Sequence, residues 1–241
     1  MQIHVYDNAA QVGQATALIF AAQILEKPTA VLGLATGSSP IPTYQELARL
    51  NKAGIIDFAN VISYNLDEYV NIPEDHVCSY HQFMKDELFS HINIRPENTH
   101  VPNGNAADLA QEGKEYDAAI EAAGGIDLQL LGIGRNGHIG FNEPGSKFIY
   151  GCHAVDLTQS TIEANRRFFD SEKDVPRQAI SLGVGSIMNA RKVVLIATGA
   201  DKAEAIRDAV HGEIDPQVQA SILRAHPNVI FMLDKAAASL L

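Results

Sequence analysis

Residues 31–40 read Val-Leu-Gly-Leu-Ala-Thr-Gly-Ser-Ser-Pro, an apolar run that passes through Ala-Thr-Gly into a helix start marked by Pro40 and Pro42. A run without polar alternation is what a strand buried on both faces requires, and a helix following at once is the unit of parallel sheets. Residues 193–202, Val-Val-Leu-Ile-Ala-Thr-Gly-Ala-Asp-Lys, repeat the pattern. Both turns therefore belong at the carboxyl edge of one sheet, where open α/β folds bind ligands.

Working outward from these two turns, runs of the same kind occur at Ile3 to Tyr6, Ala30 to Ala35, Val61 to Leu66, Asp127 to Ile133, Lys192 to Thr198 and Val229 to Leu233. Segments of helical period lie between them. Val12, Ala15, Ile19, Ala22 and Leu25 form a stripe expected to face the core, and Tyr44, Leu47 and Leu50 form another after Pro42. Further helices are expected over Ser79 to Phe89, Ala107 to Ala122, Lys202 to His211 and Gln217 to Arg224. No linker rich in Pro, Gly or Ser interrupts the alternation. The prediction is an α/β fold in one domain over residues 1–241, its mostly parallel sheet covered by helices on both faces.

The 241 residues are 46% hydrophobic and 20% charged, enough to bury a sizeable core. The formal net charge is -11, and the two partners held by clustered Lys and Arg, nucleic acid and an anionic membrane surface, are excluded on that ground. A small anionic ligand is not excluded, because one site can be locally positive on an acidic protein. Cys78 and Cys152 show no CxxC spacing, so neither a disulfide framework nor a cysteine metal site is expected. The start lacks a basic leader and the apolar stretch Ala15 to Leu25 is too short to span a bilayer, so an untargeted cytoplasmic protein is expected.

At the first turn, Thr36, Gly37, Ser38 and Ser39 combine hydroxyls with the free N–H groups and dipole of a helix start, which together make a phosphate cradle. Capping of the helix by Ser38 or Ser39 is the structural alternative. At the second turn Lys202 sits in the first helical turn, where a cation opposes the helix dipole and so is not there for helix stability. Arg167, in Asn-Arg-Arg-Phe-Phe, offers a guanidinium fork of the kind that suits phosphate. A solvated surface position remains open for both cations. In Asn65-Leu-Asp-Glu-Tyr69 two acids, Asp67 and Glu68, stand where a strand leaves the sheet at the ligand edge, where a carboxylate serves either as a general base or as a loop acid or cap for the next segment.

Residues 131–145, Leu-Gly-Ile-Gly-Arg-Asn-Gly-His-Ile-Gly-Phe-Asn-Glu-Pro-Gly, contain the dinucleotide fingerprint Gly132-x-Gly134-x-x-Gly137. That motif needs a helix to open directly behind it, and the glycines and proline of residues 138–145 oppose one. A glycine-rich loop displaying Asn136, His138 and Glu143 reads instead as a catalytic loop, in which the imidazole moves protons and its neighbours orient it. The nine histidines show no HExxH, and no metal is expected.

Taken in order, Ala-Thr-Gly-Ser-Ser-Pro, Asn-Leu-Asp-Glu-Tyr, the residue 132–146 loop, Asn-Arg-Arg-Phe-Phe and Ala-Thr-Gly-Ala-Asp-Lys resemble the glucosamine-6-phosphate deaminase family, also called glucosamine-6-phosphate isomerases, over nearly the whole chain. The resemblance implies a modified Rossmann-like sheet. It also implies conversion of glucosamine 6-phosphate and water into fructose 6-phosphate and ammonia, in amino sugar catabolism, without a cofactor. Carried over motif by motif, Asp67 is the base that moves the C2 proton, and His138 opens the pyranose ring with Asn136 and Glu143 beside it. Thr36, Gly37, Ser38, Ser39, Arg167 and Lys202 hold the phosphate. The chemistry suits these residue types, since opening the ring and moving hydrogen from C2 to C1 need separate acid–base groups while a gripped phosphate aligns both carbons.

Two departures narrow the resemblance. One branch of the family carries aspartate where this chain has Asn136. An amide there can still accept a proton from the imidazole but adds no charge, so the pH dependence is expected to differ. The larger hexameric members, activated by N-acetylglucosamine 6-phosphate, carry basic residues after Asn-Glu-Pro and a longer tail. This chain reads Lys147-Phe-Ile-Tyr-Gly-Cys-His153 there and stops at Leu241, which places it with the shorter, non-allosteric branch and makes a monomer the expected state. A 6-phosphogluconolactonase-like hydrolase and a non-catalytic sugar-phosphate sensor are the competing readings. The first has no evident need of Asp67, and the second is expected to have lost Asp67, His138 or Glu143.

Overall fold

Three of the apolar runs become strands with no exposed face, whereas Ile3 to Tyr6 lies in an edge strand that faces solvent at four of its five positions. In the computed structural model, which describes residues 1–241 apart from 167, 168, 170 and 172–174 and the side chains of 160, 164 and 165, three central strands are buried at every position. They are β2 (Val31–Leu34), β6 (Leu128–Leu131) and β9 (Val193–Ala197). With β1 (Gln2–Tyr6), β3 (Ile62–Asn65), β5 (Thr99–His100) and β10 (Val229–Asp234) they form a seven-stranded parallel sheet in the order β1-β10-β9-β6-β2-β3-β5. All six expected strands are present. The edge strand β5, two residues long, is too short to leave a pattern.

From β2 the chain winds outward through β3 to β5, and from β6 it winds the other way through β9 to β10. The strand order thus reverses between β2 and β6, and a crevice opens at their carboxyl ends, where this class of sheet binds ligands. Five segments meet side by side at that edge: Asp234 at the end of β10, the second Ala-Thr-Gly turn after β9, the residue 132–145 loop after β6, the first Ala-Thr-Gly turn after β2, and Asp67 after β3. Parallel neighbours are about 4.8 Å apart, so the two turns are separated by about 10 Å with the histidine loop between them.

The helices are α1 (Ala9–Glu26), α2 (Ile41–Lys52), α3 (Tyr80–Glu87), α4 (Leu109–Ala122), α5 (Gln159–Asn165), α6 (Val184–Met188) and α7 (Ala203–His211). Asn8, Ser79, Asp108 and Thr158 cap α1, α3, α4 and α5 through their side chains. The segment expected as a helix near Gln217 to Arg224 is a 3-10 helix over Gln219–Ala225.

The face of α1 differs from the stripe read in the sequence. Val12, Gly13, Thr16, Ala17, Phe20, Ala21 and Ile24 are buried, whereas Ala22 and Leu25 face solvent and Ala15 and Ile19 are half-buried. Apolar residues run almost all round this helix, so hydrophobicity alone does not choose its face. Close approach does: a Cβ on Gly13 would come within 2.4 Å of Pro42, so only glycine lets α1 lie against the start of α2.

A second, three-stranded antiparallel sheet was not expected from the sequence. Its order is β4 (Asp67–Tyr69), β8 (Gln178–Ser181), β7 (His153–Asp156), with Asp67 opposite Ser181 and Tyr69 opposite Ala179. Tyr69, Phe141, Leu157, Ile162, Phe169, Val175 and Ala179 form its separate apolar core, which ties the histidine loop and α5 to β4. Among the described residues no helix is long and apolar enough to cross a membrane.

Candidate active site

Local constraints place the first turn, the Asn-Leu-Asp-Glu-Tyr strand end and the histidine loop. At the first turn Gly37 adopts φ 88°, a backbone region that side-chain-bearing residues avoid, and the turn opens to solvent there. The buried Tyr44 hydroxyl donates to the Ala35 carbonyl at 2.5 Å, anchoring the exit of β2 to α2. No side chain caps α2, so Ser38 and Ser39 do not serve as its cap and the alternative reading of that stretch is set aside. Hydroxyls and amide N–H groups are left together at the head of a twelve-residue helix, an arrangement suited to an anion.

The adjacent acids of Asn-Leu-Asp-Glu-Tyr have different tasks, because successive side chains of a strand point to opposite faces. Glu68 is 1% exposed and fully engaged. Its carboxylate accepts from the amides of Tyr69, Tyr80 and His81 at 2.8–3.1 Å and lies 2.9 Å from His81 Nδ1, which fastens α3 to β4. Asp67 is 6% exposed, and its carboxylate accepts no hydrogen bond among the described residues. Tyr69, Tyr80 and Phe141 stack into an aromatic wall beside it, with Tyr80 and Phe141 7° from parallel. Burial, then the charge of Glu68, push the Asp67 carboxyl up to about 8. A carboxylate this poorly solvated is a strong base once ionised.

The residue 132–145 loop opens no helix. Gly134 N–H donates to the His138 carbonyl and Gly137 N–H to the Gly134 carbonyl, closing two turns, and the next α-helix is α5. The dinucleotide reading fails at the step that the sequence put in doubt. Gly134 has a further role: a Cβ there would lie 2.2–2.5 Å from three atoms of the His138 ring, so the imidazole rests on bare backbone. Gly140, at φ 56°, brings the loop over Asp67, with the Cβ position 3.6 Å from Asp67 Oδ2. The loop is pinned to β8 from the other side. Ser181 Oγ accepts from Phe141 N–H at 3.0 Å, and Asn142 Nδ2 donates to the Ile139 and Leu182 carbonyls.

Glu143 is the hub of the loop. Its Oε2 accepts from Asn136 Nδ2 at 2.8 Å and lies 3.5 Å from His138 Nδ1, while Oε1 accepts from the Thr161 hydroxyl on α5. Burial pushes the Glu143 carboxyl up, but His138, Thr161 and Asn136 together outweigh it and hold the group at about 2. A carboxylate ionised at all ordinary pH thus faces one nitrogen of a histidine ring that is 22% exposed. Asn136 plays a different part from the one its sequence position suggested. Its amide touches the main-chain N–H of His138 at 3.3 Å and the Glu143 carboxylate, so it orients Glu143 and does not accept from the imidazole.

Lys202 ends a 3-10 turn over Ala200–Lys202 and heads α7. Arg167 lies outside the described residues. Thr161, Asn142 and Ser181 hold the loop that carries His138 and Glu143 and were not singled out in the sequence, although Asn142 carried a signal, its place inside Gly-Phe-Asn-Glu-Pro. Glu68 was read in the sequence as the second acid of Asn-Leu-Asp-Glu-Tyr, and the structure gives it the task of fastening α3. Among the described residues no group of three or more His, Cys, Asp and Glu side chains converges in the manner of a metal site.

A family model described as glucosamine-6-phosphate isomerases/6-phosphogluconolactonase matches residues 6–231, a span that contains every group above. The chain belongs to this family. Within it, the chain is 51% identical over 241 residues to a glucosamine-6-phosphate deaminase of Halothermothrix orenii, covering all of both chains. It is 53% identical over 221 residues to one of Clostridioides difficile, covering 92% of this chain and 89% of the other. A solved structure of a monomeric glucosamine-6-phosphate deaminase superposes with a TM-score of 0.97 at 42% identity over the full length of both chains. The 6-phosphogluconolactonase of Thermotoga maritima superposes with a TM-score of 0.77 at 19% identity, covering 97% of this chain and 99% of that one, a likeness of fold alone.

Proposed function

We propose that this protein converts glucosamine 6-phosphate and water into fructose 6-phosphate and ammonia, as a single domain acting as a cytoplasmic monomer. The observation that carries the reading is a dry carboxylate, Asp67, with no hydrogen bond among the described residues, beneath a loop on which the ionised Glu143 carboxylate faces the His138 imidazole. Two acid–base groups in different environments serve two proton transfers. The full-length deaminase relatives support the substrate, and the monomeric structure supports the oligomeric state.

In this reading Glu143 holds a proton on His138 Nδ1 and leaves Nε2 to take the C1 hydroxyl proton and return one to the ring oxygen. Asp67 then removes the C2 proton of the open-chain aldehyde and delivers it to C1. Water adds to the resulting C2 imine, and ammonia leaves. Thr36 to Ser39, Lys202 and Arg167 grip the phosphate and so fix C1 and C2 against both groups. A lactonase would use the same grip, but cleaving an ester needs no base at C2, and the buried Asp67 would be left without a task.

The decisive assay measures fructose 6-phosphate and ammonia together from glucosamine 6-phosphate, and acid release from 6-phosphogluconolactone in parallel. Equal amounts of the first two products, with no lactone hydrolysis, are expected. Absence of both, or lactone hydrolysis alone, would overturn the reading.

Thr161 gives a milder test of the same site. Thr161→Val keeps the shape of the side chain but leaves Glu143 Oε1 unpaired, an omission that costs about 1–3 kcal/mol and is expected to lower kcat by roughly 10-fold or more. Thr161→Ser, which keeps the hydroxyl, is expected to stay within about 3-fold of the parent by the same reasoning. Equal kcat values for the two variants would show that the hydroxyl does not support Glu143.

A further inference from the structure

The two Ala-Thr-Gly turns, alike in sequence, differ in how their backbones are used. Around Gly37 the amides of residues 36–39 make no hydrogen bond among the described residues, and they face an open turn. Around Gly199 the peptide is held on both sides. Its N–H donates to both carboxylate oxygens of Asp234 at 3.1 Å, and its carbonyl accepts from Lys202 N–H at 3.1 Å. Asp234 also accepts from Ala237 N–H at 2.7 Å. It ends β10, whose register against β9 pairs Leu233 with Ala197, so its side chain is beside the turn by construction. At 9% exposure its charge is shielded and spent on main-chain donors, which makes these bonds stronger than neutral ones.

We propose that Asp234 is a positioning residue for the phosphate grip: it takes the Gly199 N–H out of anion binding and sets the turn so that Lys202 meets the phosphate. The proposal rests on the substrate reading above. The division of labour is then unequal, with the first turn contributing N–H groups and hydroxyls and the second a single ammonium. An acid at the same edge as a phosphate would repel it if its lone pairs were idle. Here three N–H contacts from two residues occupy them.

The test compares Asp234→Ala, Asp234→Asn and Lys202→Met in steady-state turnover of glucosamine 6-phosphate, with inorganic phosphate as competitor. For Asp234→Ala, KM and the phosphate inhibition constant are expected to rise together by about 10-fold with kcat within roughly 3-fold, the signature of lost uniform binding. Asp234→Asn keeps an acceptor and is expected to restore most of both constants. In the Lys202→Met background Asp234→Ala is expected to add little, since both changes act on one contact. Should Asp234→Ala not fold, Asp234→Glu, which displaces the carboxylate, takes its place with the same expectation. Unchanged KM and phosphate inhibition, a fall confined to kcat, or additive effects with Lys202→Met would overturn the proposal. A parent protein that releases no ammonia would instead remove the substrate reading on which it rests.

Discussion

Asp67→Asn is expected to lower turnover of glucosamine 6-phosphate by at least about 10³-fold, because an amide cannot take the C2 proton and positioned acid–base groups contribute 10²–10⁴-fold. Binding is expected to survive, since the residues proposed to hold the phosphate belong to other segments, and titration calorimetry on the inactive variant reads it directly. The same substitution carries a stability prediction of opposite sign. Burial and Glu68 raise the Asp67 carboxyl to about 8 in the folded chain, against 3.8 for an aspartate in water. Between those values the folded state holds a proton that the unfolded state has released, so this group makes stability fall as pH rises, until the folded carboxyl also ionises near 8. Asparagine has no such liability. Asp67→Asn is therefore expected to melt higher than the parent, by little at pH 4–5 and by on the order of 1–3 kcal/mol at pH 9. A variant that keeps parental turnover would remove Asp67 from the mechanism. A variant less stable than the parent at pH 9 would show that the carboxylate is not held in a dry site. In the parent, kcat/KM is expected to climb with pH through the same region, because only ionised Asp67 acts as a base.

The second large effect concerns a residue with no side chain. Gly134→Ala is expected to lower kcat by about 10²-fold or more, because a methyl group at 2.2–2.5 Å from the His138 ring forces the imidazole away from Glu143 and misplacing a catalytic group by about 1 Å costs on that order. The backbone at Gly134 does not have positive φ, so the cost falls on the ring more than on the fold, and melting is expected to change little. Crystallography of the variant should show a displaced His138. Full activity would mean that the imidazole position is not the one that matters.

What the sequence made legible follows from how local each signal is. Strands such as Leu128–Leu131 and Val193–Ala197 are apolar at every position because both faces are covered, and that pattern survives without any knowledge of neighbours. The proposed acid–base groups were legible for a related reason: His138 and Glu143 lie within eight residues on one loop with Asn136, which orients Glu143, and Asp67 marks a strand end. The small antiparallel sheet was not legible. β4 reads Asp-Glu-Tyr, polar enough to pass for a loop, and becomes a strand only because β8 comes to pair with it from more than a hundred residues away. The supports of the site were hidden for the same reason. Thr161 is 18 residues from Glu143, Ser181 is 40 from Phe141, and Asp234 is 35 from Gly199. A hydroxyl or carboxylate that acts through tertiary contact leaves no periodicity and no spacing to read. The α1 stripe shows the converse error, with Leu25 61% exposed on a helix whose apolar residues surround it. There the small residues facing α2 decided the packing, and hydrophobicity did not.

The proposed reaction depends on one buried carboxylate, Asp67, carrying hydrogen from C2 to C1. Glucosamine 6-phosphate deuterated at C2 tests it, with the fructose 6-phosphate product read by proton NMR at C1. Asp67 is shielded from solvent, so part of the deuterium is expected to arrive at C1, accompanied by a primary isotope effect on turnover. Product with unlabelled C1 and turnover indifferent to the label would contradict a transfer through Asp67.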